Sequence, residues 1–169
     1  MVEVLVTIVV VAIGLLGLAK LEAAALSNTQ VSRTRSLIAV QAGSLAAAMH
    51  ANPGYWSAGV AAPSFSISGG VVTDASGVLA TMPSPGCGPG NVCTPSVLAA
   101  WDVNNWAQNM NQMFPTALTT VTCTITAGSP ISCNLQINWS EKQVGVNLTT
   151  TASASLQTST EQFTLLVQP

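Results

Sequence analysis

Residues 1–22 read MVEVLVTIVVVAIGLLGLAKLE, and the solvent for which that stretch is written governs the rest of the chain. From Val4 to Ala19 there is no charged side chain and one hydroxyl, Thr7. As a helix rising about 1.5 Å per residue this run spans about 24 Å, a little short of the roughly 30 Å hydrocarbon core of a bilayer. Met1 and Val2 extend it past one acid, Glu3, and Lys20 closes it. A secretory signal peptide needs positive charge before the apolar run and a small-residue cleavage site behind it. Here the first charge is negative, and the sequence beyond Lys20 continues as helix. An ordinary membrane anchor accounts for the hydropathy but not for Glu3. A carboxylate at the bilayer centre costs about 2.5 to 3.5 kcal/mol, less near the interface, so its presence calls for a partner. A positive group on a neighbouring subunit is the natural one.

The helical pattern runs on, because residues 21–51 hold no proline and one glycine, Gly43, and are rich in alanine and leucine. Ala24, Val31, Ile38 and Leu45 recur on one face with Ala42 and Met49 beside them, while Gln30, Arg33 and Ser44 take other faces. Such a narrow stripe suits a helix with one side on a sheet. Asn52-Pro53-Gly54 ends it, since proline removes a donor and glycine accepts a positive φ. The expected organisation is a helix over 1–51 and a globular head over 52–169. Within the helix, 1–20 form a transmembrane or filament-core half and 21–51 an amphipathic spine; the whole is a rod of about 75 Å. Gly14 and Gly17 are three apart, a spacing that permits close helix approach, and each also weakens the helix by about 1 kcal/mol relative to alanine. Both a packing notch and a bend point are expected there.

In the 169-residue chain 49% of residues are hydrophobic and 6% charged, against roughly 25% charged in an ordinary soluble protein. The formal net charge is -2, too little positive charge to neutralise a run of phosphates, which excludes general nucleic-acid binding. Residues 52–95 carry glycine, proline and serine every few positions, so loop is expected, with a short strand around Val71 and Val72. A second helix begins at Thr94-Pro95 and closes at Pro115, with Val103, Trp106, Met110, Met113 and Phe114 at helical spacing. Trp101 and Trp106 read as packing anchors on or next to this stripe. Thereafter the period falls to two: Val121, Cys123 and Ile125, then Ile131, Cys133, Leu135, Ile137 and Trp139. A turn over Ala127-Gly128-Ser129 pairs these strands with Cys123 opposite Cys133. Directly opposed Cα atoms lie about 4.5 to 5.5 Å apart, within disulfide range. One weak strand is expected between Trp139 and a last strand at 163–167.

Four cysteines spaced C-x5-C and C-x9-C lack the tight knuckles of a zinc site. Two disulfides, Cys87 to Cys93 and Cys123 to Cys133, are expected in preference to a metal, and with them an oxidising compartment. Catalysis has little material. His50 is the only histidine and sits where it serves the C-terminal dipole of the long helix. No nucleophile elbow, zincin pair or phosphate-cradling glycine loop is present, so neither enzymatic activity nor a cofactor is expected.

Taken together, MVEVLVTIVVVAIGLLGLAKLE resembles the N-terminus shared by type IV pilins and type II secretion pseudopilins: an acid at the head of an apolar helix. The segments AIGLLGLAKLE, HANPGYW, WDVNNWAQNMNQMFP and INWSEK resemble the PilV-type minor pilins in particular. The resemblance implies an α+β fold in which the outer half of a long N-terminal helix packs on a small antiparallel sheet, with loop and disulfides on the exposed edge. It implies a subunit held in the bacterial inner membrane with its head in the periplasm, drawn out by an inner-membrane assembly platform into a filament reaching the cell surface. Its partners would be other minor and major pilins and, in an assembly-initiating tip complex, an adhesin. Glu3 matches the family's helix-head glutamate, which implies pairing with the N-terminal ammonium of an adjacent subunit. A minor pseudopilin of a type II secretion filament is the alternative. The basic leader and glycine at which the family is processed do not precede this stretch: either they and about two residues of the mature start are missing here, or Met1 is the true start and processing by the family's peptidase is in question.

Overall fold

The computed structural model describes residues 2–126, 129–142 and 158–169. Helix α1 covers Val2–Ala51 without a break, with Glu3 in its first turn and His50 in its last. A short helix α2, Pro53–Trp56, follows, and α3 covers Pro95–Met113. Among the described residues five strands follow: β1 Ser64–Ser68, β2 Val71–Asp74, β3 Leu118–Thr124, β4 Ser132–Lys142 and β5 Thr158–Val167, in sheet order β2-β1-β3-β4-β5. The β1–β2, β1–β3 and β3–β4 pairs are antiparallel. This is the α+β arrangement expected from sequence, a long N-terminal helix packed on a small antiparallel sheet. The turn at Ala127-Gly128 and residues 143–157, where a weak strand was expected, lie outside the described residues.

The chain divides into two compact units. One comprises Leu37–Ser140 with Thr160–Pro169; the other holds α1 up to Ser36 together with residues from Glu141 to Ser159.

The larger unit is built on alternation. Rows of inward side chains cross its sheet in register: Asp74, Phe65, Val121 and Leu135 form one row, and Val72, Ile67, Thr119 and Ile137 the next. All eight are buried, and the row beyond them is Cys123 opposite Cys133. Onto this face α1 lays Ile38, Ala42, Leu45 and Met49, the heptad positions read from the sequence. Helix α3 contributes Val103, Trp106, Ala107 and Met110 to the same core. The Trp106 indole N–H donates to Gln41 O at 2.8 Å and Ser44 Oγ at 3.1 Å, so α3 is tied to α1 by a polar bond inside an apolar contact. A buried indole donor needs such a partner, because leaving it unmade costs about 1 to 3 kcal/mol.

Four expectations are corrected. The loop of residues 52–95 contains two strands, not one short one: SFSIS and VVTD form a hairpin around Gly69-Gly70, whose φ values are 57° and 77°. A two-residue hairpin turn needs positive φ, which glycine supplies without steric cost. The last strand is also longer than 163–167, beginning at Thr158. It reads TSTEQFTLLV, and its polar first half hid it. Of the α3 stripe, Val103, Trp106 and Met110 are buried, but Met113 is exposed and Phe114 half-buried beyond the last helical residue. Thr94 takes the N-cap backbone conformation, yet its hydroxyl faces Ser96 Oγ at 3.3 Å and makes no cap.

In the smaller unit, Arg35 donates to Glu141 through Nε at 3.2 and 3.3 Å and through Nη2 at 2.9 Å. The Glu141 side chain is only 3% exposed, and this paired fork satisfies a carboxylate that burial would otherwise penalise.

Candidate functional site

Val2, Val4, Val6, Ile8, Val9, Val10, Val11 and Ile13 make the start of α1 a β-branched run. Such residues lose χ1 freedom in a helix and are poor helix formers in water. In hydrocarbon the ranking changes, because helix is the one local structure that satisfies every backbone N–H and C=O within its own segment. Thr7 follows the same logic, its hydroxyl donating to Val4 O at 2.9 Å. The span is long and apolar enough to cross a membrane, and its most apolar window is 0% buried. Burying a side chain of this size from water is worth about 1.5 to 3 kcal/mol, so bare exposure of the whole set to water is not a stable end state. What the sequence required of α1 as an apolar segment is therefore present, and among the described residues that window stays uncovered.

Glu3 stands exposed in the first turn, and among the described residues it forms no hydrogen bond or ion pair. Gly14 and Gly17 lie within continuous helix, and a Cβ built at either would meet nothing within 4 Å. Among the described residues no packing requires glycine there. The bend expected at these positions is not seen as a break in the helix.

The four cysteines form two bridges. Cys87–Cys93 closes a loop with Cα atoms 5.6 Å apart. Inside it Gly88 and Asn91 exchange backbone bonds at 3.2 and 3.0 Å, and the Asn91 amide donates to Pro85 O and Gly86 O. Cys123–Cys133 joins directly opposed residues of β3 and β4, as the register argument required. Their Cα atoms are 3.9 Å apart, closer than expected. The Cys123 N–H donates to Pro63 O, away from β4, so this is a non-hydrogen-bonded pair, the type in which side chains come closest. With these sulfurs joined to one another, none is a thiolate available to zinc. Among the described residues no group of three His, Cys, Asp or Glu is placed to hold a metal ion.

Two buried carboxylates, Asp74 of the larger unit and Glu141 of the smaller, were not singled out from sequence. Asp74 is buried on the sheet face; burial alone would raise its pKa, but hydrogen bonds from the Ser76 hydroxyl and the Leu79, Ser76 and Val78 amides outweigh it and hold the carboxyl below its ordinary value. Glu141 takes the inward position after Leu135, Ile137 and Trp139, so alternation marked it as buried and in need of a cation. Asp102, half-buried on α3, is pushed up by desolvation. Trp101 is half-buried, and Gly86 lies flush on its indole. No protein-family model, curated protein or solved structure matches the chain.

Proposed function

We propose that this chain is a structural subunit of a type IV pilus, a minor pilin of the PilV kind, that acts by being built into a filament at its assembly-initiating tip. The observation that carries the reading is the conjunction in α1: an apolar membrane-length segment with 0% of its most apolar window buried, headed by a carboxylate without a partner among the described residues. Lipid satisfies the first property and not the second. A bundle of like helices satisfies both, since apolar faces cover one another and an ammonium from a neighbour meets Glu3 in a medium of low dielectric. The disulfide-bonded head supports an oxidising compartment, the periplasm and then the cell surface. Before assembly the subunit resides in the inner membrane beside the assembly platform. Its filament neighbours are other minor and major pilins, with an adhesin at the tip.

The test is Glu3→Ala in cells extending pili. Immunoblots of sheared filaments should show the unaltered subunit and lack the variant, while membrane levels of the two stay equal. Equal amounts of both in filaments, or absence of the unaltered subunit from filaments, would end the proposal.

A further inference from the structure

The two disulfides sit in different settings. Cys123 and Cys133 are 6% and 0% exposed inside the sheet, whereas Cys87 and Cys93 are both half-buried. Between Leu79 and Ala99 no residue belongs to the hydrophobic core, so the loop that Cys87–Cys93 closes is not what holds the fold. That loop projects: Gly88, Pro89 and Gly90 are exposed, and Val92 is 97% exposed. Glycines flank Cys87 on both sides, so no neighbouring side chain along the loop screens its sulfur. From Ala75 to Trp101 the sequence has no carboxylate to repel an incoming thiolate. We propose that Cys87–Cys93 is a thiol-exchange site whose partner is a protein dithiol, while the sheet bridge takes no part. Nothing in this depends on assembly into a filament.

Exchange proceeds by attack of a thiolate on a disulfide sulfur, and its rate depends on access to that sulfur. A thiolate of the partner attacks Cys87 Sγ, the S–S electron pair leaves on Cys93 Sγ, and Cys93 takes up a proton. The partner's second thiolate then attacks the mixed disulfide and releases Cys87, which is protonated in turn. The loop bridge is thereby reduced to two thiols and the partner's dithiol is oxidised to a disulfide, so electrons and protons balance. Opening the bridge acts locally. Pro83, on the chain entering the loop, and Ser96 and Val97, on the chain leaving it, line one groove of about 220 Å³, and the bridge ties those two walls together. Gly86 lies on the Trp101 indole; with the bridge open, the Asn91 amide bonds to Pro85 O and Gly86 O are what remain to hold it there. The bridge is thus a clasp on this groove, and releasing it leaves the β3–β4 register untouched.

The probe is a thioredoxin-type protein without its resolving cysteine, which stops exchange at the mixed disulfide, offered to the oxidised full-length chain in detergent at neutral pH. Mass spectrometry should place the adduct on the loop bridge, and the double variant Cys87→Ser with Cys93→Ser should form none while keeping its far-UV circular dichroism. With the intact dithiol protein followed by alkylation, Cys87 and Cys93 should be labelled at least about tenfold faster than Cys123 and Cys133, the circular dichroism again unchanged. No adduct on the loop, an adduct with the double variant, equal labelling of the two bridges, or labelling of the loop only as the circular dichroism is lost would each overturn the proposal.

Discussion

Asp74 shows how a single carboxylate sits on the buried face of a sheet without a cation. The Ser76 and Leu79 amides donate to it at 3.0 and 3.1 Å, and the Ser76 hydroxyl at 2.5 Å, so the β2 end and the turn after it are held by one side chain. Replacement by alanine should cost about 1 to 3 kcal/mol at neutral pH, read as a lower denaturant midpoint. The pH dependence has a fixed sign. The folded carboxyl is depressed, so its stabilisation is present above the unfolded value of about 3.9 and fades as pH falls through the folded one. Unfolding titrations from neutral to acid should therefore lose stability below about pH 4, and Asp74→Asn should flatten that loss. Asp102, raised by desolvation, acts in the opposite direction, and Asp102→Asn should not weaken the protein at neutral pH. Gly86 is a steric case: a Cβ there would land in the Trp101 ring, so Gly86→Ala should destabilise the loop and shift Trp101 resonances.

At the scale of elements, the cross-strand bridge closes a loop of sequence separation 10. Changing Cys123 and Cys133 together to alanine should lower stability by about 2 to 4 kcal/mol, measured by denaturant unfolding beside the unaltered chain. The sheet should nevertheless persist, because the Val121–Leu135 and Thr119–Ile137 pairs hold the same register. That register was legible because alternation is strict through VTCT and SCNLQINW. Helix α1 was legible for two reasons, an apolar run and then a heptad stripe whose members Ile38, Ala42, Leu45 and Met49 are the residues buried. The β1–β2 hairpin was obscured by serines and prolines, although Gly-Gly between Phe65/Ile67 and Val72 was the signal. The start of β5 was hidden because Thr158 to Gln162 are polar residues on a lightly covered strand, where side-chain pattern says little. Glu3 was legible as an acid in an apolar run.

For the whole molecule, the contrast lies between the apolar half of α1 and a head with little charge. Between Arg35 and Glu141 the sequence has two acids, Asp74 and Asp102, and no lysine or arginine. The exposed large apolar residues cluster before Ser27, from Val2 to Leu26, while the core helix positions begin at Ile38. A chain begun at Ser27 should therefore remain in solution without detergent and keep both disulfides, whereas the full chain should require detergent or lipid. Sedimentation before and after detergent removal checks both.

The bond from the Trp106 indole to the Gln41 carbonyl gives the molecule an internal gauge. An indole shielded from solvent and hydrogen-bonded to a helix carbonyl emits at shorter wavelength than one released to water. The emission that Trp106→Phe removes is thus a reading of whether α1 stays seated on α3. Under the proposed filament reading, following it during extraction from the bilayer would tell whether the head travels as a rigid cargo or loosens its grip on its own spine.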